Sequence, residues 1–329
     1  MRIVVTGGAG YIGSVTHRVL LDAGHDVVVL DSLIRGHAAA VDPRAQLVTG
    51  SVGDRDVLDE VLPGADAVMH LAGLIEVAES QRDPGRYHRA NVCEPATMLE
   101  AMTAHGVDAI VFSSTAAVYG EPEQVPITED APTRPVNVYG LTKLMFEQLL
   151  GSFESAHGLR AVRFRYFNVA GAWPDGSLGE AHEPETHILP RILCAIRDGQ
   201  ERFEVFGDDY PTPDGTCIRD YIHVLDLAQA HRLALERLGA GDRGGVFNLG
   251  TGEGFSNLEV VRACSEVTGV PLEVAFGPRR PGDPARLVAS AARAREELGW
   301  VAQRGALRTM IEDAWRWHQS HPGGYRARE

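Results

Sequence analysis

Short apolar runs recur through the first half of the chain, at 3–6, 27–31, 47–49, 67–72, 109–114 and 161–166. They are rich in Val and Ile and lack the polar alternation of a strand with one wet face, so they read as strands covered on both sides. Between them the apolar positions take helical spacing: Ile12, Val15, Val19 and Leu20 fall on one face, and Gly24 ends that helix. Repeated β-α units of this length predict an α/β fold, a Rossmann-type doubly wound parallel sheet. The texture changes near residue 171. Gly, Pro and acidic residues cluster at 173–185 and 207–215 and read as loops, while helical patterns return at 189–197, 224–238, 258–268 and 306–318. The expected organisation is a sheet domain over 1–170, open to being rejoined by segments near 215–250, and a smaller C-terminal α/β lobe over 171–329.

Composition narrows the partners. Of 329 residues, 44% are hydrophobic and 23% charged, the balance of a soluble globular protein. No apolar run approaches the roughly 20 residues of a membrane helix, and the chain opens directly on a strand pattern, so a cytoplasmic location is expected. The net charge of −14 repels nucleic acid and anionic membrane, and no Lys/Arg-rich block offsets it. Neither is an expected partner, and an anionic substrate would need a few well-placed arginines. Cys93, Cys194, Cys217 and Cys264 are scattered, without a C-x-x-C pair, and are expected to be free buried thiols. His182 and His187 flank Glu183 and Glu185, but the spacing fits no standard zinc pattern and no metal is expected.

Directly after the first strand comes TGGAGYIG, with glycines at 7, 10 and 13. Glycine permits a tight turn and close backbone approach to a pyrophosphate, and the following helix aims its N–H groups and positive end at the anion. Gly patterns alone are weak, but this one sits between strand and helix. Gly7, Gly10, Tyr11, Ile12 and Gly13 are thus candidate dinucleotide contacts. The second strand ends at Asp31, where an acidic residue binds the adenosine ribose and repels a 2′-phosphate, favouring NAD over NADP. Arg35 nearby weighs the other way.

Tyr139 and Lys143 form Y-x-x-x-K behind a candidate N-cap, Asn137, which places both on one face of a new helix. Tyrosine, with an ordinary pKa of about 10, needs about 4 kcal/mol of help to act as a base near neutral pH. A lysine charge about 5–6 Å away contributes roughly 3 kcal/mol at an effective dielectric of about 20, and a nicotinamide cation can add the rest. The strand at 109–114 leads into Ser113, Ser114 and Thr115, hydroxyls at the end that faces a ligand crevice.

The stretches 7–13, 112–120 and 139–143 resemble the extended short-chain dehydrogenase/reductase family. RYFNVAG at 165–171, DYPTPDGT at 209–216 and IRDYIHV at 218–224 are similar to the members that invert C4 of a UDP-hexose, and the similarity covers nearly the whole chain. The resemblance implies NAD as cofactor, a UDP-sugar substrate, a homodimer, an NAD-binding 1–170 domain and a mainly substrate-binding 171–329 lobe. It implies Tyr139 as base, Lys143 as its partner and ribose contact, and Thr115 as the catalytic hydroxyl. It adds Ser32, Ser51, Val52, Leu71, Ala72 and Tyr166 to the cofactor contacts, and Asn168, His187, Arg219, Arg280 and Asp283 to the substrate contacts. Bidentate arginines suit phosphate oxygens. Ile75 and Ser51 depart from residues common in the family, a lysine and an adenine-binding aspartate, and Leu287 stands where the sugar pocket is gated. The implied reaction is C4 epimerisation of UDP-glucose and UDP-galactose through a 4-keto sugar, with UDP-glucuronate, UDP-N-acetylglucosamine or UDP-xylose as the alternative substrates. Ala116 and Ala117 follow Thr115 where dehydratase relatives carry an acid, which argues against dehydration. Retention of both Tyr139 and Lys143 argues against a non-catalytic NAD sensor.

Overall fold

A computed structural model describes residues 1–280 and 283–326. Pro281 and Gly282 of the 278–283 motif, and 327–329 at the end of the second lobe, lie outside the described residues. The first half runs β1 (Arg2–Thr6), α1 (Tyr11–Asp22), β2 (Asp26–Asp31), β3 (Gln46–Thr49), α2 (Arg55–Val61), β4 (Ala67–His70), α3 (Val77–Arg82), α4 (Pro84–His88), α5 (Glu94–Ala104), β5 (Ala109–Ser113), α6 (Val138–His157) and β6 (Arg160–Tyr166). The second runs β7 (Asn168–Ala170), α7 (Ile188–Arg197), β8 (Arg202–Phe206), β9 (Ile218–His223), α8 (Val224–Gly239), β10 (Gly244–Leu249), β11 (Gly254–Ser256), α9 (Asn257–Thr268), β12 (Glu273–Gly277), β13 (Arg286–Leu287), α10 (Ala292–Leu298) and α11 (Leu307–Ser320).

Seven parallel strands form the main sheet in the order β10-β6-β5-β4-β1-β2-β3, the expected doubly wound α/β architecture. Its register sets Val5 between Val29 and Met69. Neighbouring residues of one strand enter opposite cores. Ile3, Val5, Val27 and Val29 pack with Leu20, Leu227 and Leu235 on one face, while Val4, Val28, Leu30 and Val68 pack with Leu58, Met98 and Phe146 on the other. Both faces are therefore apolar, which explains the missing alternation, and each side chain so buried stabilises the fold by about 1.5–3 kcal/mol.

The strand order reverses between β1 and β4, so the connecting loops diverge there and open a crevice above the carboxyl ends of the strands. The last strand of the sheet, β10, pairs with β6 although it comes from the second half of the chain. Asn168–Ala170 instead pairs with β9, in a smaller four-stranded sheet completed by β11 and β13. A separate core gathers Leu189, Ile192 and Leu193 of α7, Val260 and Cys264 of α9, and Met310 and Ile311 of α11. All four cysteines are free, but only Cys217 and Cys264 are buried. Cys194 is half-buried and Cys93 is exposed, a correction to the expected four buried thiols. Cys93 closes the π-helical turn Arg89–Cys93 between α4 and α5, where its side chain meets solvent. Among the described residues no helix is long and apolar enough to cross a membrane.

Candidate active site

The glycine turn follows β1 directly. Gly10 caps α1, and its N–H donates to the Gly7 carbonyl at 3.2 Å. A Cβ on Gly13 would lie 2.1 Å from the Gly7 carbonyl oxygen, so glycine alone lets the helix start this close to the turn. Gly7, Gly10, Tyr11, Ile12 and Gly13 line a cleft of about 730 Å³, at the positive end of α1. Asp31 ends β2. Its Oδ2 accepts the Ala9 N–H at 2.9 Å and its Oδ1 the Leu33 N–H at 2.8 Å, so it braces the loop as well as lining the cleft. Arg35, the residue that weighed toward NADP, is committed elsewhere: it pairs with Glu76 and Glu79 and donates to the Glu183 carbonyl. Ser32, Val52, Leu71 and Ala72 continue the same wall. Ser51 lines it too, but its hydroxyl donates to Glu94 at 2.8 Å and accepts the Gly53 N–H at 3.0 Å. The glycine turn, the carboxylate at the end of β2 and the size of the cleft fit a dinucleotide.

The candidate reacting residues converge from two elements. Asn137 caps α6, its side chain accepting the Gly140 N–H at 2.8 Å. A Cβ on Gly140 would lie 2.6 Å from the Ala117 carbonyl oxygen. Glycine thus lets the first turn of α6 press against the loop after β5, which brings Tyr139 and Thr115 into the same cleft. Lys143, one turn along and buried, donates from Nζ to the Ser113 carbonyl at 2.9 Å. Tyr166, at the end of β6, lines the same cleft. Behind them lies a buried network. Glu147 accepts from Ser114 and from Arg165 at 2.6 Å, and Arg165 donates to Tyr119 at 3.0 Å.

The electrostatics correct one expectation. Burial pushes the Tyr139 phenol up to about 12, against a hydrogen bond with Thr115 that lowers it. Burial also brings the Lys143 ammonium down to about 8, opposed by the charge of Glu147. Desolvation dominates the phenol without an offsetting contribution from Lys143, whose ammonium is held on the strand-end Ser113 carbonyl. The acidity that the base needs is therefore not a property of the polypeptide alone.

The opposite wall comes from the second half. Asn168 of β7 sits beside Tyr221 of β9, and Arg219, two residues from Tyr221 on the same strand face, pairs with Asp283. The Arg280 guanidinium stacks 4.3 Å over the Phe206 ring and has no ion-pair partner among the described residues. His187 caps α7, and Leu287 of β13 lies beside Arg219. Thr115, Tyr139, Lys143 and Tyr166 line this cleft on one side and Asn168, His187, Arg219, Arg280 and Asp283 on the other, whereas the hydroxyls of Ser113 and Ser114 turn away into the core, toward His231 and Glu147. Tyr221, Glu180 and His182 line it as well and were not singled out as site residues. The period of two that places Tyr221 beside Arg219 was a usable signal for the first. Glu147, four residues past Lys143 on α6, was legible from helical spacing in the same way.

A crevice at the strand-order switch, with a glycine phosphate turn, an acidic β2 end and a Tyr/Lys/hydroxyl group, defines a nucleotide-dependent oxidoreductase-type enzyme, and sequence comparison fixes the family. The profile of the NAD dependent epimerase/dehydratase family matches residues 3–250, and the chain belongs to that family. The chain is 51% identical over 327 residues to the UDP-glucose 4-epimerase of Lacticaseibacillus casei, a match that covers 99% of each. It superimposes at a TM-score of 0.92 on a UDP-glucose 4-epimerase from Brucella ovis in complex with NAD, 43% identical, with 96% of this chain and 98% of that one covered. A UDP-glucose 4-epimerase from Bifidobacterium longum in complex with NAD+ and UDP gives 0.94 at 37% identity, covering 98% of this chain and 100% of the other.

Proposed function

We propose that this chain interconverts UDP-glucose and UDP-galactose by NAD-dependent epimerisation at C4 of the hexose. The carrying observation is that Tyr139 and Thr115 line one cleft, with Lys143 one helical turn on, together with Arg219 and Arg280. NAD supplies a reversible hydride acceptor for C4, so no net oxidant is consumed. Gly7, Gly10 and Gly13 bind its pyrophosphate, Asp31 its adenosine ribose, and Lys143 its nicotinamide ribose. Tyr139 takes the proton of the 4-hydroxyl and returns it after inversion, while Thr115 hydrogen-bonds the same oxygen. Lys143 favours the ionised phenol. Arg219 and Arg280 anchor the diphosphate, so the 4-keto sugar can turn about its linkage while the nucleotide stays fixed. Asn168 contacts the sugar nucleotide beside them, and Leu287 bounds the sugar end.

The division of labour follows the chain: an NAD-binding domain over 1–170, rejoined by α8 and β10, and a substrate-binding lobe over 171–329. A cytoplasmic homodimer is the expected state, to be checked by gel filtration and subcellular fractionation. The decisive assay gives purified protein UDP-glucose, UDP-N-acetylglucosamine and UDP-glucuronate separately, without added NAD, and follows each by proton NMR. Formation of UDP-galactose supports the reading. No C4 epimer of any of them, even with NAD supplied, sinks it. Acceptance of UDP-N-acetylglucosamine is a second outcome with some support, since a UDP-Glc/GlcNAc 4-epimerase from Campylobacter jejuni is 37% identical at a TM-score of 0.84.

A further inference from the structure

The segment between β7 and α7 gathers four titratable side chains that the reaction above does not use as acid or base. The donor and acceptor atoms of Glu180, His182, Glu185 and His187 all lie within 4.8 Å of one another. Glu180 is the centre, only 5% exposed. Its Oε1 faces Nδ1 of His187 at 2.5 Å and Nδ1 of His182 at 3.1 Å. Glu185 stands 3.7 Å from each imidazole and accepts the backbone N–H of His187 at 2.8 Å. A buried carboxylate is costly unless it is paired and hydrogen-bonded, and here two imidazoles do both.

The two histidines are not equivalent. His182 is mostly covered, whereas the His187 side chain is 46% exposed. His187 caps α7, whose first residues Ile188, Leu189 and Pro190 line the same cleft as Arg219 and Arg280. Nδ1 of His187 is taken by Glu180, while Nε2 has no hydrogen-bond partner among the described residues. A carboxylate that accepts Nδ1–H fixes the ring and favours the imidazolium, in which Nε2–H is a second donor that points outward.

We propose that Glu180 is a positioning residue that holds His187 with its Nε2–H presented to the diphosphate of the nucleotide sugar. This rests on the reading of the cleft as a UDP-sugar site. The surrounding charges agree with it. Burial opposes the His187 cation, but the adjoining Glu180 carboxylate outweighs it and the imidazole is raised above its ordinary value. Burial likewise would raise Glu180, and the His187 and His182 charges pull it down instead. Tyr11 of α1, Cys194 and Arg191 of α7 and His318 of α11 also sense this cluster, and burial is the largest influence on each. None of these four supplies the carboxylate that keeps His187 charged.

The test uses full-length holoenzyme with Glu180→Gln and His187→Gln, measuring UDP affinity by calorimetry together with kcat and KM for UDP-glucose from pH 6 to pH 9. His187→Gln should weaken UDP and raise KM by about tenfold, the scale of a charge-assisted hydrogen bond, with kcat within about twofold. Glu180→Gln should give most of that loss at pH 8 and less at pH 6, where more of the imidazole is cationic without that carboxylate. The double variant should be no weaker than His187→Gln. If Glu180→Gln does not fold, the His187→Gln titration against wild type decides. Unchanged UDP affinity in both variants, with wild type binding UDP, overturns this proposal alone. Wild type that binds no UDP overturns the site reading and this proposal with it. A zinc ion retained by wild type and lost from Glu180→Gln would also overturn it, because Nδ1 would then be spent on metal.

Discussion

The two walls of the cleft are made differently. On the cofactor side, Asp31, Ser113 and Tyr166 are the last residues of strands that are hydrogen-bonded within a seven-stranded sheet. Asp31 is tied to two backbone N–H groups and Lys143 to a backbone carbonyl. On the opposite wall Arg219 sits on β9 and His187 caps α7, but their neighbours come from a three-residue strand, a two-residue strand and loops, held by the Arg219–Asp283 pair and by arginines stacked on Tyr210 and Phe206. The strand-end groups of the first wall are fixed to backbone that cannot shift without breaking the sheet, and Tyr139 and Lys143 meet them from α6. The arginines of the second wall are held by side chains, and single substitutions can change them.

Replacing Tyr139 with Phe tests the rigid wall. Turnover should fall by about 10³-fold, within the range of general acid–base catalysis, while calorimetric UDP affinity is retained. Full activity would break the comparison at its centre. Acid should loosen the fold from inside. Burial, helped by the Lys143 charge, holds His70 near 3, and burial holds His231 and His318 near 4. The unfolded chain protonates these groups near about 6.5, so it binds more protons than the fold below that value. Stability is then complete above pH ~6.5 and is lost as pH falls toward 4, by up to about 1.4 kcal/mol per pH unit for each histidine. Thermal melting across that window reads it, and a flat Tm would contradict it. Arg280→Ala tests the adaptable wall: KM for UDP-glucose should rise about tenfold with kcat within about threefold. A loss confined to kcat would show the two walls to be coupled. Leu287→Ala should have the smallest effect, shifting the kcat/KM ratio of UDP-N-acetylglucosamine to UDP-glucose upward by about threefold to tenfold. No shift would remove Leu287 from the sugar gate.

Legibility followed the same division. Six strands of the main sheet were readable as short apolar runs, and α7, α8, α9 and α11 because each keeps an apolar stripe, whereas β10, with the sequence GGVFNL, was not. The segment from 77 to 104 gave no periodic signal. There α3, α4 and α5 are short or interrupted, and the π turn at 89–93 breaks the phase of any stripe. Asn91 in that turn donates to Thr142 at 3.1 Å and joins the segment to α6, a contact across 51 residues that no local pattern announces. Tyr139, Lys143 and the glycine turn were legible because their chemistry requires fixed spacings. Glu180 was not, since its partner His187 lies seven residues on and the two meet only through the folded loop. The raised phenol of Tyr139 was also illegible, because desolvation is a property of the packed core rather than of a motif.

The late arrival of β10 has a consequence for how the protein is born. Until Leu249 leaves the ribosome, β6 is an open edge whose N–H and C=O groups face water. Phe164 likewise waits for its contact with Phe247. The nucleotide half is therefore unfinished until three-quarters of the chain has been translated, and a fragment ending near 170 would expose a sticky border. Truncated forms of this enzyme should associate edge to edge rather than persist as independent cofactor-binding modules.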